Sequence, residues 1–359
     1  MPMVDASDQG TRAGRRRRFR PQHVVIVVGV VAAVVTSLSY AAATTFAFHD
    51  DSPIHREVFG NIPDWFQVLF YTATTLLIVG AAWMLSLRAR NWARGAPDRR
   101  PTTAQNVRRR LRDLRAGLLM QTLLRDPAAG AMHTLIYVGF LVLLAVTTTL
   151  EINHQMPRAL KFLHGGVYEG YSAVGDAAAL VFLAGLCWAV ARRFIKRAYR
   201  IRIKTKPEHA VILATLVLIG ITGFTTETFR IALVGRPSFE RWSFVSYPLS
   251  ALVSGWSTGT LSDWHCVSWV VHVFGFFAFL VILPTTMLRH MVTSPLNMYL
   301  GDRERPKGAM RAMPNVMETE LATFGAATVK DFTWKLHGLA VRAHYPRGAV
   351  GVHVVQGLR

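Results

Sequence analysis

The chain has 359 residues, of which 51% are hydrophobic and only 17% charged, where a water-soluble domain carries about a quarter charged residues. That balance excludes a fully soluble protein, a disordered one and a disulfide scaffold. Two cysteines exclude a zinc ribbon or a four-cysteine iron-sulfur cluster built from this chain alone, and the net charge of +20 must be mapped before it is read as nucleic-acid binding.

Six apolar runs follow one another, near residues 24–43, 66–87, 133–150, 172–191, 209–229 and 265–288. Each approaches or exceeds the roughly 20 helical residues that cross a bilayer. None shows the strict alternation of a barrel strand. The expected fold is therefore all-α, a polytopic membrane helix bundle with about six transmembrane helices. The first run follows Arg15-Arg16-Arg17-Arg18 and ends in Ala41-Ala42-Ala43, an order shared with signal peptides. Its apolar stretch is longer than the roughly 7–15 residues of a signal core, so an uncleaved helix is expected.

Lys and Arg set the expected orientation. Of 41, 35 fall in the N-tail, the 88–129 loop, the 192–206 loop and the chain after Leu288; six fall in the alternate loops. The excess places both termini in the cytoplasm, with the chain in the plasma membrane. It also accounts for the charge as a topology signal with affinity for anionic lipid headgroups, so no nucleic-acid partner is expected. Within 103–126, Val107, Leu111, Leu114, Leu118 and Leu123 recur at helical spacing among arginines, which reads as an amphipathic helix at the membrane surface. The chain divides into a basic tail (1–21), two spans with this amphipathic segment (22–129), a four-helix domain (130–292) and a cytoplasmic tail (293–359). Turn residues such as Ser294-Pro295 punctuate that tail.

Ionisable residues inside bilayer helices are costly and mark functional sites by default. A b-type haem needs two axial imidazoles from facing helices. His272 and His290 lie 18 residues apart on the last run, which is five helical turns and about 27 Å of rise, so both rings leave one face. Pro284 between them kinks the helix. A partner for His290 must lie at the same depth: His133 and His209 both qualify, and His133 is preferred because Pro207 leaves His209 in a first turn. For His272 the depth-compatible partner is His154, if the third helix runs past Leu150; His164 and His265 are less regular candidates.

These residues resemble a family. His272, Pro284, His290 and Ser294-Pro295-Leu296-Asn297 resemble the last helix of the haem b subunit of respiratory nitrate reductase and of the heterodisulfide reductase membrane subunit. Gly130-Ala131-Met132-His133 with Tyr137-Val138-Gly139-Phe140 resembles the second helix of that family. The resemblance covers about residues 130–300 and implies that His133 and His290 ligate one haem and His272 a second. The family places the partner of that second ligand ten residues after the first histidine, where this chain has Leu143; a His154–His272 pair is the substitute expectation. Met313-Pro314-Asn315 through Phe332-Thr333-Trp334-Lys335 resembles the membrane part of actinobacterial iron-sulfur-binding reductases, a group that implies electron-transfer flavoprotein:menaquinone oxidoreductase chemistry. A cysteine-rich domain follows in that group; here 336–359 contains no cysteine, so the clusters are expected in a separate or missing domain.

The functional expectation is a cytochrome b-type module that passes electrons between a cytoplasmic iron-sulfur or flavoprotein partner and menaquinone, with one haem b and room for a second. Glu227 and Arg230 lie one turn apart and read either as a local ion pair or as a quinone-site pair. Glu169 and Asp176 read as a solvated helix end. Asp263-Trp264-His265-Cys266 is too compact for a metal site. Two competing readings are a haem-free transporter or assembly scaffold, and a fragment of a longer reductase.

Overall fold

The computed structural model describes residues 52–92, 103–121, 123–196 and 205–300, with scattered positions between 23 and 38. Helices α1 (Asp64–Trp92), α2 (Ala104–Leu118), α3 (Pro127–Gln155), α4 (Gly165–Val190), α5 (Pro207–Leu233), α6 (Ser246–Ala251), α7 (Thr258–Thr285) and α8 (His290–Leu300) make up the described fold, and no strand forms among the described residues. Five helices there are long and apolar enough to cross a membrane. The expected first span, 24–43, lies largely outside the described residues, and the basic tail 1–21 and the stretch 301–359 lie wholly outside them.

The chain divides into two compact units. Gly29–Met84 with Arg100–Met310 forms one, and all the histidines and polar networks that follow belong to it. The other comprises Met1–Val28, Leu85–Arg99 and Arg311–Arg359; its described part is chiefly the last turns of α1.

Two spans, α3 and α7, begin outside their apolar runs at polar capping residues. Asp126 accepts the Ala129 N–H at 3.1 Å, with Pro127 at the first helical position, and Ser257 accepts the Thr260 N–H at 3.2 Å. Both satisfy amide groups that a helix start leaves bare. At its other end α3 continues past Leu150 and carries His154 within the helix.

Two glycines bring α3 and α4 into backbone contact. A Cβ on Gly139 would meet the Phe182 backbone nitrogen at 2.7 Å, and one on Gly185 would meet the Ile136 nitrogen at 2.8 Å. Small residues serve this purpose where no hydrophobic force distinguishes protein from lipid. Beside this seam sits the core of Phe182, Leu186, Ile212, Leu216, Ile282 and Leu288. Leu143 packs against it. Trp65, Trp83, Trp188 and Trp264 are all exposed, as residues facing lipid or its interface should be.

The last helix departs from the expected continuous 265–288 rod. Pro284 cannot donate to the helical ladder, Thr286 is extended, and a 3-10 turn over Met287–Arg289 precedes α8. Thr286 donates to the Ile282 carbonyl at 2.7 Å and accepts the Leu288 N–H at 3.2 Å, which stabilises the break. His272 and His290 therefore sit on different helices, and the same-face argument does not apply to them. Beyond the break, Ser294-Pro295 lies inside α8 and is no turn; α8 packs on α2, where the Arg110 guanidinium lies 5.8 Å from the Tyr299 ring centroid.

At the end of the bundle that gathers the start of α4 and the end of α5, charges are buried in pairs. Arg230 contacts Glu227 at 2.6 Å and Glu240 at 2.8 Å, Arg56 contacts Glu227 at 3.0 Å, and the Tyr168 hydroxyl lies 3.0 Å from Glu240. Asp176, expected from sequence to be solvated, is buried and accepts the Val245 and Ser246 N–H groups at 2.7 and 3.4 Å. The segment before α6 folds back onto α4, which the hydropathy of 172–191 alone does not reveal. Removing one partner from a buried ionic group strands the others. Arg230→Ala is therefore expected to cost about 3–5 kcal/mol of folding free energy, measured by reversible denaturation in mixed micelles, while the exposed Arg241→Ala stays within about 0.5 kcal/mol.

Candidate functional site

At the opposite end, the starts of α3, α5 and α8, the end of α4 and the turn after α7 line a cavity of about 340 Å³. Its walls are mainly apolar, including Met132, Ile136, Leu186, Ile212 and Leu216, and His133, His209 and His290 enter it. Among the described residues, no Asp or Glu lines it. The ring centroids of His133 and His290 are 6.4 Å apart. Two imidazoles that bind one metal ion from opposite sides, at about 2 Å per bond, place their centroids roughly 6 Å apart.

The hydrogen bonds decide what each imidazole offers. The His290 Nδ1 lies 2.8 Å from the Met287 carbonyl. A carbonyl only accepts, so Nδ1 carries the proton and Nε2 keeps a free lone pair; this is the usual outer bond of a metal-binding histidine. The His133 Nδ1 is buried without a partner. The His209 Nδ1 lies 3.0 Å from the Lys206 backbone nitrogen and 3.1 Å from the Lys206 carbonyl at the start of α5, so the backbone engages it in either tautomer. His133 and His290 are the two cavity histidines whose rings stand together.

His272 lies near the middle of α7 and meets Thr222 on α5, with Nδ1 at 3.0 Å from the hydroxyl. Thr222 has one hydroxyl proton, directed at the Leu218 carbonyl 2.6 Å away, so His272 donates from Nδ1. The His154 ring instead packs on Phe59 at 5.3 Å between centroids. The two histidines share no ring contact or hydrogen-bond partner among the described residues, so the structure does not bring this expected pair together. His164 begins α4, and His265 bonds Asn61 through Nδ1. No group of three or more His, Cys, Asp or Glu poised for a metal occurs among the described residues.

Glu227 and Arg230 belong to the closed ionic end. Both Glu227 oxygens are engaged by Arg230, and Oε2 also by Arg56, while Arg230 reaches Glu240 and the Tyr168 hydroxyl as well. This geometry fits an anchoring ion pair. Two residues at the cavity are not singled out by sequence pattern: Arg192 and Arg193 figure there only as topology charges. The signal that could have found them is their place directly after the fourth apolar run, at the depth of His133.

Comparison with known proteins follows the same residues. Residues 128–306 match the family described as nitrate reductase gamma subunit. The chain carries a nitrate reductase gamma-subunit domain. That domain is a membrane electron-transfer module, and it contains all three cavity histidines and His272. Over 221 residues the chain is 30% identical to the EtfAB:quinone oxidoreductase of Syntrophomonas wolfei, covering 59% of this chain and 30% of that protein. Over 214 residues it is 23% identical to the probable iron-sulfur-binding oxidoreductase FadF of Bacillus subtilis, covering 58% of this chain and 29% of that protein. The chain spans less than a third of the length of these curated relatives. No solved structure matches it.

Within the gamma-subunit domain, the Thr222–His272 bond has a measurable cost of removal. Thr222→Val removes this bond while the ring keeps its hydrogen bond to the Ile219 backbone, and a loss of about 0.5–1.5 kcal/mol is expected in denaturation in mixed micelles. Thr222→Ser keeps the hydroxyl and should recover most of it.

Proposed function

We propose that this chain is the haem b-carrying membrane part of a quinone-reactive oxidoreductase, with one haem held between His133 and His290. The observation that supports the reading best is the 6.4 Å imidazole pair across an apolar cavity. His290 is pre-oriented by its bond to the Met287 carbonyl, and the buried His133 Nδ1 has no partner. Bound there, a b-type haem supplies reversible one-electron transfer. The protein supplies the rest: α3 and the turn before α8 hold the two rings, and Leu186, Ile212 and Leu216 exclude water from the space between them.

By the distribution of Lys and Arg, this end of the bundle faces the cytoplasm of a plasma-membrane protein with both termini inside. Electrons would enter here from an iron-sulfur reductase domain or subunit. The names of the two relatives, one an EtfAB:quinone oxidoreductase and one an iron-sulfur-binding oxidoreductase, favour electron-transfer flavoprotein as the ultimate donor and a quinone, here menaquinone, as the membrane partner. Glu227 and Arg230 take part as positioning residues that close the far end of the bundle. Residues 130–292 form the redox domain in this reading, and 293–359 lead to the partner that carries the clusters.

The test is a dithionite-reduced minus oxidised visible spectrum of the purified protein, with a pyridine haemochrome count. One b-type haem per chain is expected, lost in His133→Ala and in His290→Ala and retained in His272→Ala. A count of two, with one lost on His272→Ala, would make His272 a second axial ligand. A folded protein that stays colourless when haem is supplied during expression would overturn the redox reading in favour of a transporter or scaffold.

A further inference from the structure

Where α4 leaves the core, its last turn widens into a π-helix over Ala191–Ile195, closed by the Lys196 N–H on the Ala191 carbonyl at 2.9 Å. Such turns are rare and frequent at functional sites. This one presents two consecutive arginines, Arg192 and Arg193, to the cavity of His133 and His290. Arg192 reaches Asp126 with Nη2 at a loose 3.5 Å, and its Nη1 is buried with no partner. Arg193 has no ion-pair partner among the described residues. Because no carboxylate among the described residues lines the cavity, two guanidinium groups border apolar space with one weak counterion between them, on a residue outside it. His209 lines the same cavity.

Buried donors and cations without acceptors are expensive, and a guanidinium fork matches a carboxylate in particular. We propose that Arg192 and Arg193 form a carboxylate-binding subsite that takes the propionate groups of the tetrapyrrole, so that the cavity recognises one acidic edge as well as an iron. This rests on the haem reading above. The subsite would set the rotation of the ring in its plane, which the two imidazoles cannot do alone, since axial ligands leave that rotation free. A lipid phosphate is the other source of anionic oxygen at this depth.

The probes are haem and haem dimethyl ester, whose acid groups are blocked, titrated into apoprotein in phosphatidylcholine nanodiscs and followed by the Soret band. Wild type should bind haem about tenfold or more tightly than the ester, the size expected for one charge-assisted contact. In the double variant R192M/R193M, haem should weaken to the level of the ester, while the ester is unchanged and both keep the low-spin bis-imidazole spectrum. Arg192→Lys should retain part of the difference, and Arg193→Met alone should remove part of it. Equal affinity of haem and ester in wild type would overturn the subsite. So would a double variant that weakens both alike, which would mark the arginines as structural. Competition by added phosphatidylglycerol, with no preference for haem over ester, would assign the site to lipid phosphate. Failure of both tetrapyrroles to bind any form of the protein would overturn the haem reading itself, a result distinct from the others.

Discussion

A helix in hydrocarbon must satisfy its polar side chains within the protein, because lipid offers neither donor nor acceptor. The two ends of this bundle meet that constraint in opposite ways. At the closed end, two arginines and two glutamates neutralise one another, with the Tyr168 hydroxyl between them and the charge of Glu240 almost fully buried. At the other end the account does not close inside the chain: an imidazole nitrogen of His133 and a guanidinium nitrogen of Arg192 are buried with nothing to bond. Orphaned donors and lone pairs around one apolar cavity are what a site for a metal-centred, acid-bearing ligand requires. The same groups would be a defect in a bundle built only for packing.

The geometry of the open end depends on two backbone features. Gly139 and Gly185 let α3 and α4 touch, so Met132 and Ile136 on one helix line the cavity with Leu186 and Ala189 on the other. The break at Thr286 then turns the chain out of α7 and starts α8 at His290. On an unbroken α7, His290 would stand more than a turn beyond Thr286 along the axis. The 3-10 turn redirects that path and supplies the Met287 carbonyl that orients the ring. Position and tautomer of this histidine thus follow from a single threonine whose hydroxyl both donates and accepts.

Much of this is legible in the sequence, for reasons that differ by residue. The spans are long uninterrupted apolar runs, and hydropathy alone locates them. Their ends lie several residues outside those runs, since the caps at Asp126 and Ser257 are polar and carry no hydropathy signal. The His133–His290 pair can be read from depth, because Lys and Arg place both at one end of their helices. The break at Thr286 cannot: Pro284 signals a kink, but whether the chain resumes as one helix depends on side-chain bonds that no spacing encodes. Arg56 and Glu227 are brought together across several intervening helices, and Asp176 is buried by a segment far later in the chain, at Val245 and Ser246. Pairing of that kind is set by tertiary packing and leaves no local pattern.

The middle of the bundle bears on the second haem that the resemblance implies. Leu143, at the position where the resemblance to the nitrate reductase haem b subunit implies a second histidine, packs with Phe140 and Phe279 against the buried core. His272 has turned to α5, where its Nδ1 is held by Thr222 and its ring lies beside Gly223, within 3.6 Å of where a Cβ would stand. An imidazole held in that tautomer keeps a basic Nε2, but the facing ring that would complete a bis-imidazole site is absent from its described contacts. His154 is drawn instead to the aromatic group of Phe59, Phe70 and Trp269 that seats α1. Leu143 thus contributes apolar packing to that core and no donor atom for a metal.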